Sequence, residues 1–272
     1  MIPKIIHYCW FGKNPLPDLA VKCINSWKKY FPDYKIQEWN EDNFDLNSCE
    51  YCREAYKGKK WAFVSDYARF KILYEYGGIY FDTDVEVIRN MDDIISNGAF
   101  IGRERIAGSF PVNAGLGIAA EKNMPILKEI IDDYERSKFV QSEKMETVVE
   151  RVTRILNQHG LSNKQQYEVI EGFHVYPSDY FCPYDYNIGK LCQTSNTRSI
   201  HWYDASWLDD RMKKRRKICV KIQRTFPGGV GEKIAKIYTS CSYYWEWVST
   251  GNYKMIKSKL KQKISRYNDN GN

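Results

Sequence analysis

The chain has no apolar run of about 18 residues, the length a membrane-spanning helix needs. It has no internal repeat and no low-complexity tract, which excludes repeat solenoids and compositionally disordered segments. Its 8 cysteines stand at 9, 23, 49, 52, 182, 192, 219 and 241, and only Cys49 and Cys52 form a C-x-x-C. No second pair and no C-x-x-H lies at zinc-site spacing, so free thiols in a reducing compartment are expected. Met1-Ile2-Pro3-Lys4 leads straight into an apolar strand and leaves no room for a secretion signal. That favours a bacterial-style cytoplasmic protein.

What is present is an α/β pattern with a basic end. At 272 residues the chain fits one domain with appendages. The segments Lys4–Trp10 and Tyr34–Trp39 read as strands. Pro17–Tyr30 reads as a helix with Val21, Ile24 and Trp27 facing inward. Phe44–Tyr56 and Trp61–Tyr76 read as further helices, and Ile79–Phe81 as a strand. Ala99–Gly102 and Val112–Ala119 follow as strands, Met124–Tyr134 and Glu143–His159 as helices, then Tyr167–Ile170 and Phe173–Tyr176 as short strands. Ser178–Thr197 reads as an aromatic, polar loop region. Strands alternating with helices imply a largely parallel central sheet flanked by helices, with ligands at the carboxyl ends of the strands. Aromatics reach 15%, with 21 Tyr and 8 Trp, and such rings suit sugar and nucleobase faces as well as a core.

The net charge of +7 is uneven. Residues 209–272 hold 16 Lys and Arg against 5 Asp and Glu, a net of +11. The first 208 residues hold 25 against 29, a net of −4. The expected organisation is a domain over 1–208 and a basic tail over 209–272.

The chemistry concentrates in Tyr76-Gly77-Gly78-Ile79-Tyr80-Phe81-Asp82-Thr83-Asp84. A helix-like run stops at two glycines, and a short apolar strand ends in Asp-x-Asp. Strand alternation would put Asp82 and Asp84 on one side, a few ångströms apart. Two carboxylates held that close repel unless a cation sits between them, and a hard divalent ion with oxygen ligands is the usual answer. Asp66 and Arg69 lie on the preceding helix, three residues apart and on one face. They suit the hydroxyls and diphosphate of a nucleotide sugar. They also suit an intrahelical ion pair worth only about 0.3–0.5 kcal/mol on a surface.

The run Ser65-Asp66-x-x-Arg69, then Gly77-Gly78-Ile79-Tyr80-Phe81-Asp82-x-Asp84, resembles glycosyltransferase family 32. These Asp-x-Asp enzymes are similar to the catalytic domain of the large clostridial glucosylating toxins. The opening Ile2-Pro3-Lys4-Ile5-Ile6-His7-Tyr8-Cys9-Trp10-Phe11-Gly12 matches the family's first strand. The resemblance is specific from residue 2 to about 120, looser from Ile200-His201-Trp202 to Ser206-Trp207, and absent beyond about 210.

The resemblance implies a nucleotide-diphosphate-sugar transferase (GT-A-like) fold and a metal-dependent, retaining sugar transfer from a nucleotide sugar, UDP-linked in preference. It implies Mn²⁺ or Mg²⁺ on Asp84 and Asp82, the latter through water or on the ribose. Trp10 would stack on uracil, worth about 1–3 kcal/mol. Asp66 and Arg69 would hold the transferred sugar and the phosphate, and Asn113 and Gly115 would face that sugar. His201, or Ser206 beside Trp207, would approach the metal and phosphates, although Ala205 stands where the family often has glycine. The family needs no enzymic base, because the departing diphosphate takes the acceptor's proton. The product is expected to be a capsule, O-antigen or other surface glycan on a lipid-linked acceptor. His7, inside the first strand, reads as core.

The tail joins Arg211-Met-Lys-Lys-Arg-Arg-Lys217, an aromatic cluster at Tyr243, Tyr244, Trp245 and Trp247, and Tyr253, Ile256, Leu260 and Ile264 among lysines. Basic amphipathic helices with aromatics suit an anionic membrane surface, which would place the protein peripherally on the inner face of the cell membrane. A solvated face and a partner-protein surface remain open, while no nucleic-acid-binding motif accompanies the charge. Two rivals stand beside sugar transfer. One is a magnesium-dependent phosphoryl-transfer hydrolase of the haloacid dehalogenase type, whose Asp-x-Asp normally lies near the N-terminus and has Thr or Val where this chain has Glu86. The other is a non-enzymatic adaptor at the membrane.

Overall fold

A computed structural model describes residues 1–106, 108–140, 145–185, 189–204, 210–226, 228–251, 253 and 255. Its first compact unit comprises Met1–Asp185 with Lys190–Trp207, and its second Tyr186–Gly189 with Leu208–Asn272.

The first unit runs β1 (Ile5–Cys9), α1 (Asp18–Tyr30), β2 (Lys35–Trp39), α2 (Glu50–Lys57), α3 (Trp61–Tyr76), β3 (Gly78–Tyr80), β4 (Val85–Val87), α4 (Asp92–Ile95), β5 (Phe100–Arg103) and β6 (Val112–Ala120). It continues through α5 (Pro125–Arg136), α6 (Val148–Gln158), β7 (Glu168–Ile170), β8 (Phe173–Tyr176), α7 (Ser178–Phe181), β9 (Tyr184–Asp185), β10 (Lys190–Leu191) and β11 (Ser199–His201). Seven strands form one sheet in the order β2-β1-β3-β6-β5-β8-β7. β1 pairs in parallel with β2 and β3, and β5 with β8, while β6 and β7 run against their neighbours. Five of the seven strands therefore share one direction. All nine residues of β6 are buried, as expected for a central strand covered on both faces.

Helix α3 has no single apolar stripe, because it packs against β1, α2 and α5 at once. Val64, Tyr67, Phe70, Ile72 and Leu73 are buried on it, and so are the charged Asp66 and Arg69. Charges are almost never buried unless paired, so this pair marks the helix as more than a packing element. Gly77 and Gly78 then take φ of 62° and 101° and turn the chain directly into β3. A Cβ on Gly78 would lie 2.6 Å from the Ile5 carbonyl oxygen, so only glycine fits there.

The differences from expectation have local causes. Val21 is 44% exposed, and α1 instead buries Ala20, Cys23, Ile24 and Trp27. The helix expected from Phe44 starts at Glu50, because Asn40 and Asp45 side chains accept from Asp42 and Asn47 backbone N–H groups and hold the preceding segment in turns. Cys49 caps that helix, its Sγ accepting from the Cys52 backbone at 3.3 Å. Helix α6 begins at Val148 behind a Thr147–Glu150 capping box, and residues 141–144 lie outside the described ones. The region Ser178–Thr197 contains α7 and the β9–β10 pair. Asp82-Thr83-Asp84 occupies a turn between β3 and β4, closed by Val85 N–H donating to Asp82 O at 3.0 Å, and not a strand.

In the second unit α8 (Asp210–Thr225) packs antiparallel on α9 (Gly229–Ser249). The antiparallel sense follows from its contacts: Arg215 reaches Ser242 at 2.9 Å and Glu246, and Cys219 Sγ lies 3.2 Å from Thr239 Oγ1. Among the described residues no helix is long and apolar enough to cross a membrane. Ile256, Leu260 and Ile264 lie outside the described residues, as do Ala205, Ser206 and Trp207.

Candidate active site

The site begins where β3 ends. The two-stranded pair β4–β11 sets Val85 opposite His201, and Trp202 N–H donates to Asp84 O at 3.0 Å. This pairing carries His201 to the turn that holds Asp82 and Asp84. His201 Nε2 lies 3.1 Å from Asp84 Oδ1. One ligand atom from each of Asp82, Asp84 and His201 falls within 4.8 Å of the other two. Asp204 N–H donates to Asp84 Oδ2 at 2.8 Å, fixing the carboxylate from the far side.

The neighbouring charges converge on Asp82. Arg69 Nη2 reaches Asp66 Oδ1 at 2.8 Å and Asp82 Oδ1 at 3.1 Å. Arg69 Nε donates to Ser65 O at 3.2 Å, and its guanidinium lies 4.8 Å over the Tyr80 ring. Tyr80 Oη donates to Asp82 Oδ1 at 3.1 Å. Arg69 is thus a bridge between helix and turn, not a surface partner of Asp66 alone.

The floor comes from β6. Asn113 Oδ1 accepts from Gly115 N–H at 2.7 Å, and Asn113 Nδ2 donates to Glu104 Oε2 at 2.7 Å. A Cβ on Gly115 would meet Asp82 Oδ2 at 2.2 Å, so the Asp82 carboxylate lies directly against that glycine. Tyr203 Oη donates to the same Glu104 Oε2 at 3.0 Å, and its ring meets His201 edge to face at 4.1 Å. Tyr203 has φ of 51°, a left-handed conformation costly for a non-glycine residue.

Burial and charge set the protonation states. Burial pushes the Asp66 carboxyl up to about 7, with Arg69 opposing and Asp82 adding to the rise. Burial works against the charge of Arg69, but Asp82, Tyr80 and Asp66 outweigh it and hold the guanidinium charged. Burial alone would raise Asp84, yet the charge and hydrogen bond of His201 and the Asp204 N–H bring it below the ordinary carboxylate value. For His201 burial lowers and Asp84 raises, and Asp84 prevails.

Two carboxylates and an imidazole form a donor set that suits a divalent cation. His201 Nδ1 is buried without a hydrogen-bond partner among the described residues, an orphaned polar atom on the proposed ligand ring. The residues present fit a metal ion: Asp82, Asp84 and His201 each bring one ligand atom to the same place.

Of the residues singled out from sequence, Asp66, Arg69, Asp82, Asp84, Asn113, Gly115 and His201 belong to this one assembly. Trp10 follows β1 at its carboxyl end, half-buried, with Nε1 donating to Asn14 O at 2.6 Å. Ser206 and Trp207 are outside the described residues. Sequence reasoning missed Glu104, Tyr80 and Tyr203. Tyr203 stands two residues after His201 and Tyr80 two before Asp82, which was the available signal. Glu104 had none, since a charged residue after a short apolar strand reads as surface.

Residues 17–101 match the family profile described as "Glycosyltransferase sugar-binding region containing DXD motif". The matched span includes Asp66, Arg69, Asp82 and Asp84, so it takes in the helix and the turn that form this site. The chain is 30% identical over 142 residues to inositol phosphoceramide mannosyltransferase 3 of Schizosaccharomyces pombe, covering 51% of this chain and 38% of that protein. It is 31% identical over 136 residues to the uncharacterized glycosyltransferase L373 of Acanthamoeba polyphaga mimivirus, covering 48% of this chain and 54% of that one. The chain therefore spans about a third to a half of the length of these curated relatives. Among solved structures it is similar to the PaToxG glycosyltransferase, with a TM-score of 0.43 and 22% identity over 58% of this chain and 69% of that one.

Proposed function

We propose that the chain is a metal-dependent glycosyltransferase that moves a sugar from a nucleoside-diphosphate sugar, a UDP-sugar in preference, to a glycan acceptor with retention at the transferred carbon. The observation that carries this reading is the meeting of Asp82, Asp84 and His201 within 4.8 Å beside the buried Arg69. Asp84, Asp82 and His201 would hold Mn²⁺ or Mg²⁺, and Mn²⁺ suits the mixed carboxylate and imidazole set better. When bound, the ion supplies Lewis-acid stabilisation for the departing diphosphate.

The protein's own groups do the rest. Arg69 holds Asp82 in place from below, and its charge lowers the cost of an anionic ligand above. Asp66 and Asn113, both buried, offer acceptor and donor atoms for sugar hydroxyls. Gly115 leaves the space that the Asp82 carboxylate occupies. Trp10, at the carboxyl end of β1, offers a ring face for the base. The phosphoryl-transfer alternative gives His201 and Asp66 no part.

The first relative's name couples mannosyl transfer to inositol phosphoceramide, a lipid. This supports a lipid-linked acceptor here, in the building of a capsule, O-antigen or similar surface glycan. A thermal-shift panel of UDP- and GDP-sugars, each with and without Mn²⁺, tests the reading. A true donor at about 100 times its Kd stabilises by roughly 2.7 kcal/mol. A shift with one nucleotide sugar that requires Mn²⁺ is expected, and no shift with any of them rejects the proposal.

A further inference from the structure

We propose that the α8–α9 pair is a docking surface for a bilayer containing anionic lipid, with one face of α9 entering the headgroup boundary and the lysine face of α8 beside it. On α9, Val230, Ile234, Ile237, Cys241, Trp245 and Val248 follow one another at steps of three and four, which puts them on one helical face. That face is not the one packed on α8, which uses Gly231, Ala235, Thr239, Ser242 and Glu246. Ile237 is 63% exposed and Trp245 75%, high values for side chains of this size.

Charge selects the occupant. Residues 210–249 hold ten Lys and Arg against three Asp and Glu. Glu246 is already engaged by Arg211 and Arg215. Lys214, Lys217 and Lys221 are exposed, recur on one face of α8, and pair with no acid among the described residues. Lys214 and Trp245 line the same groove of about 310 Å³ between the two helices, so the basic face and the apolar face come together at these two residues. An apolar stripe edged by lysines, with a tryptophan at the border, matches the layering of acyl chains and anionic headgroups. A second copy of this chain would bring the same positive charge against itself. A nucleic-acid backbone would leave the stripe exposed.

The test uses the full chain and sedimentation with vesicles of phosphatidylcholine alone or mixed with phosphatidylglycerol. Binding is expected only to the mixed vesicles and weakens as salt rises. Each lysine near an anionic leaflet is worth roughly fivefold in affinity, so Lys214→Gln with Lys217→Gln and Lys221→Gln lowers binding at least tenfold. Ile237→Ser with Trp245→Ser also loses the vesicles. These side chains are exposed, so circular dichroism and Mn²⁺-dependent UDP binding remain as in the parent. Equal binding to both vesicle types, or undiminished binding by either variant, overturns the proposal. So does a dimer in light scattering that Ile237→Ser dissolves while the parent ignores vesicles. Because the vesicle measurement needs no donor sugar, failure of the sugar-transfer reading leaves its result standing.

Discussion

Replacing Arg69 by methionine removes the cation that pairs with both Asp66 and Asp82. The side chain is 3% exposed and serves both carboxylates, the Ser65 carbonyl and the Tyr80 ring. Breaking a buried ion pair from one side costs about 3–5 kcal/mol, because the partner charge stays behind. Two features moderate the loss here. Asp66 already sits near a pKa of about 7 and can take a proton, and the Asp82 side chain is 30% exposed. The expected cost is therefore near the lower end, about 3 kcal/mol, or a fall in Tm of about 6–12 °C for a chain of this size. Urea titration at pH 7 measures it. Repeating the substitution in an Asp66→Asn background should cost at least about 1 kcal/mol less, since contacting charges are not additive. A loss under about 1 kcal/mol in the parent, or full additivity with Asp66→Asn, would refute the buried bridge.

Gly115→Ala pushes a methyl group to within 2.2 Å of the Asp82 Oδ2 position and should displace that carboxylate. Mn²⁺ affinity by calorimetry should drop at least about tenfold, and an unchanged affinity would separate Asp82 from the metal. His7 is buried, with Trp39 Nε1 donating to its Nδ1 at 3.0 Å and its Nε2 against Gly77 O at 2.9 Å, an arrangement that uses both nitrogens of a neutral ring. Burial lowers its pKa to about 4, against 6.5 for a free histidine. The folded pKa is the depressed one, so this stabilisation is complete above pH 6.5 and is lost as pH falls through about 4, a change of about 3 kcal/mol. His7→Gln should flatten stability across that window in urea titrations at stepped pH, and an unaltered slope would contradict the neutral-ring account.

The elements legible in advance were those with strong local punctuation. Helix α3 ends at Gly77 and Gly78 because the turn into β3 requires positive φ, and that stop is visible in the sequence. The apolar runs of β1 and β6 likewise announce buried strands. On α1 Ile24 and Trp27 face inward as expected, but Val21 does not, because the small residues Ala20 and Cys23, which give a weak signal, fill that side instead. The β4–β11 pair was invisible: each strand has three residues, and more than a hundred residues separate them. That long-range pairing decides where His201 lies, and nothing local to His201 announces its approach to Asp84. Glu104 escaped notice because its partners, Asn113 across the β5–β6 turn and Tyr203 ninety-nine residues on, meet it only in the folded chain.

The central claim is that Asp82, Asp84 and His201 hold the cation through which a nucleotide sugar is bound. Calorimetric titration of UDP into the parent chain and into Asp84→Asn, each with Mn²⁺ and again in excess chelator, tests it most directly. Tight binding by the parent only with Mn²⁺, and loss of that dependence in a folded Asp84→Asn, is the predicted result. Equal affinity in parent and variant, or binding by the parent that chelator leaves untouched, would contradict it.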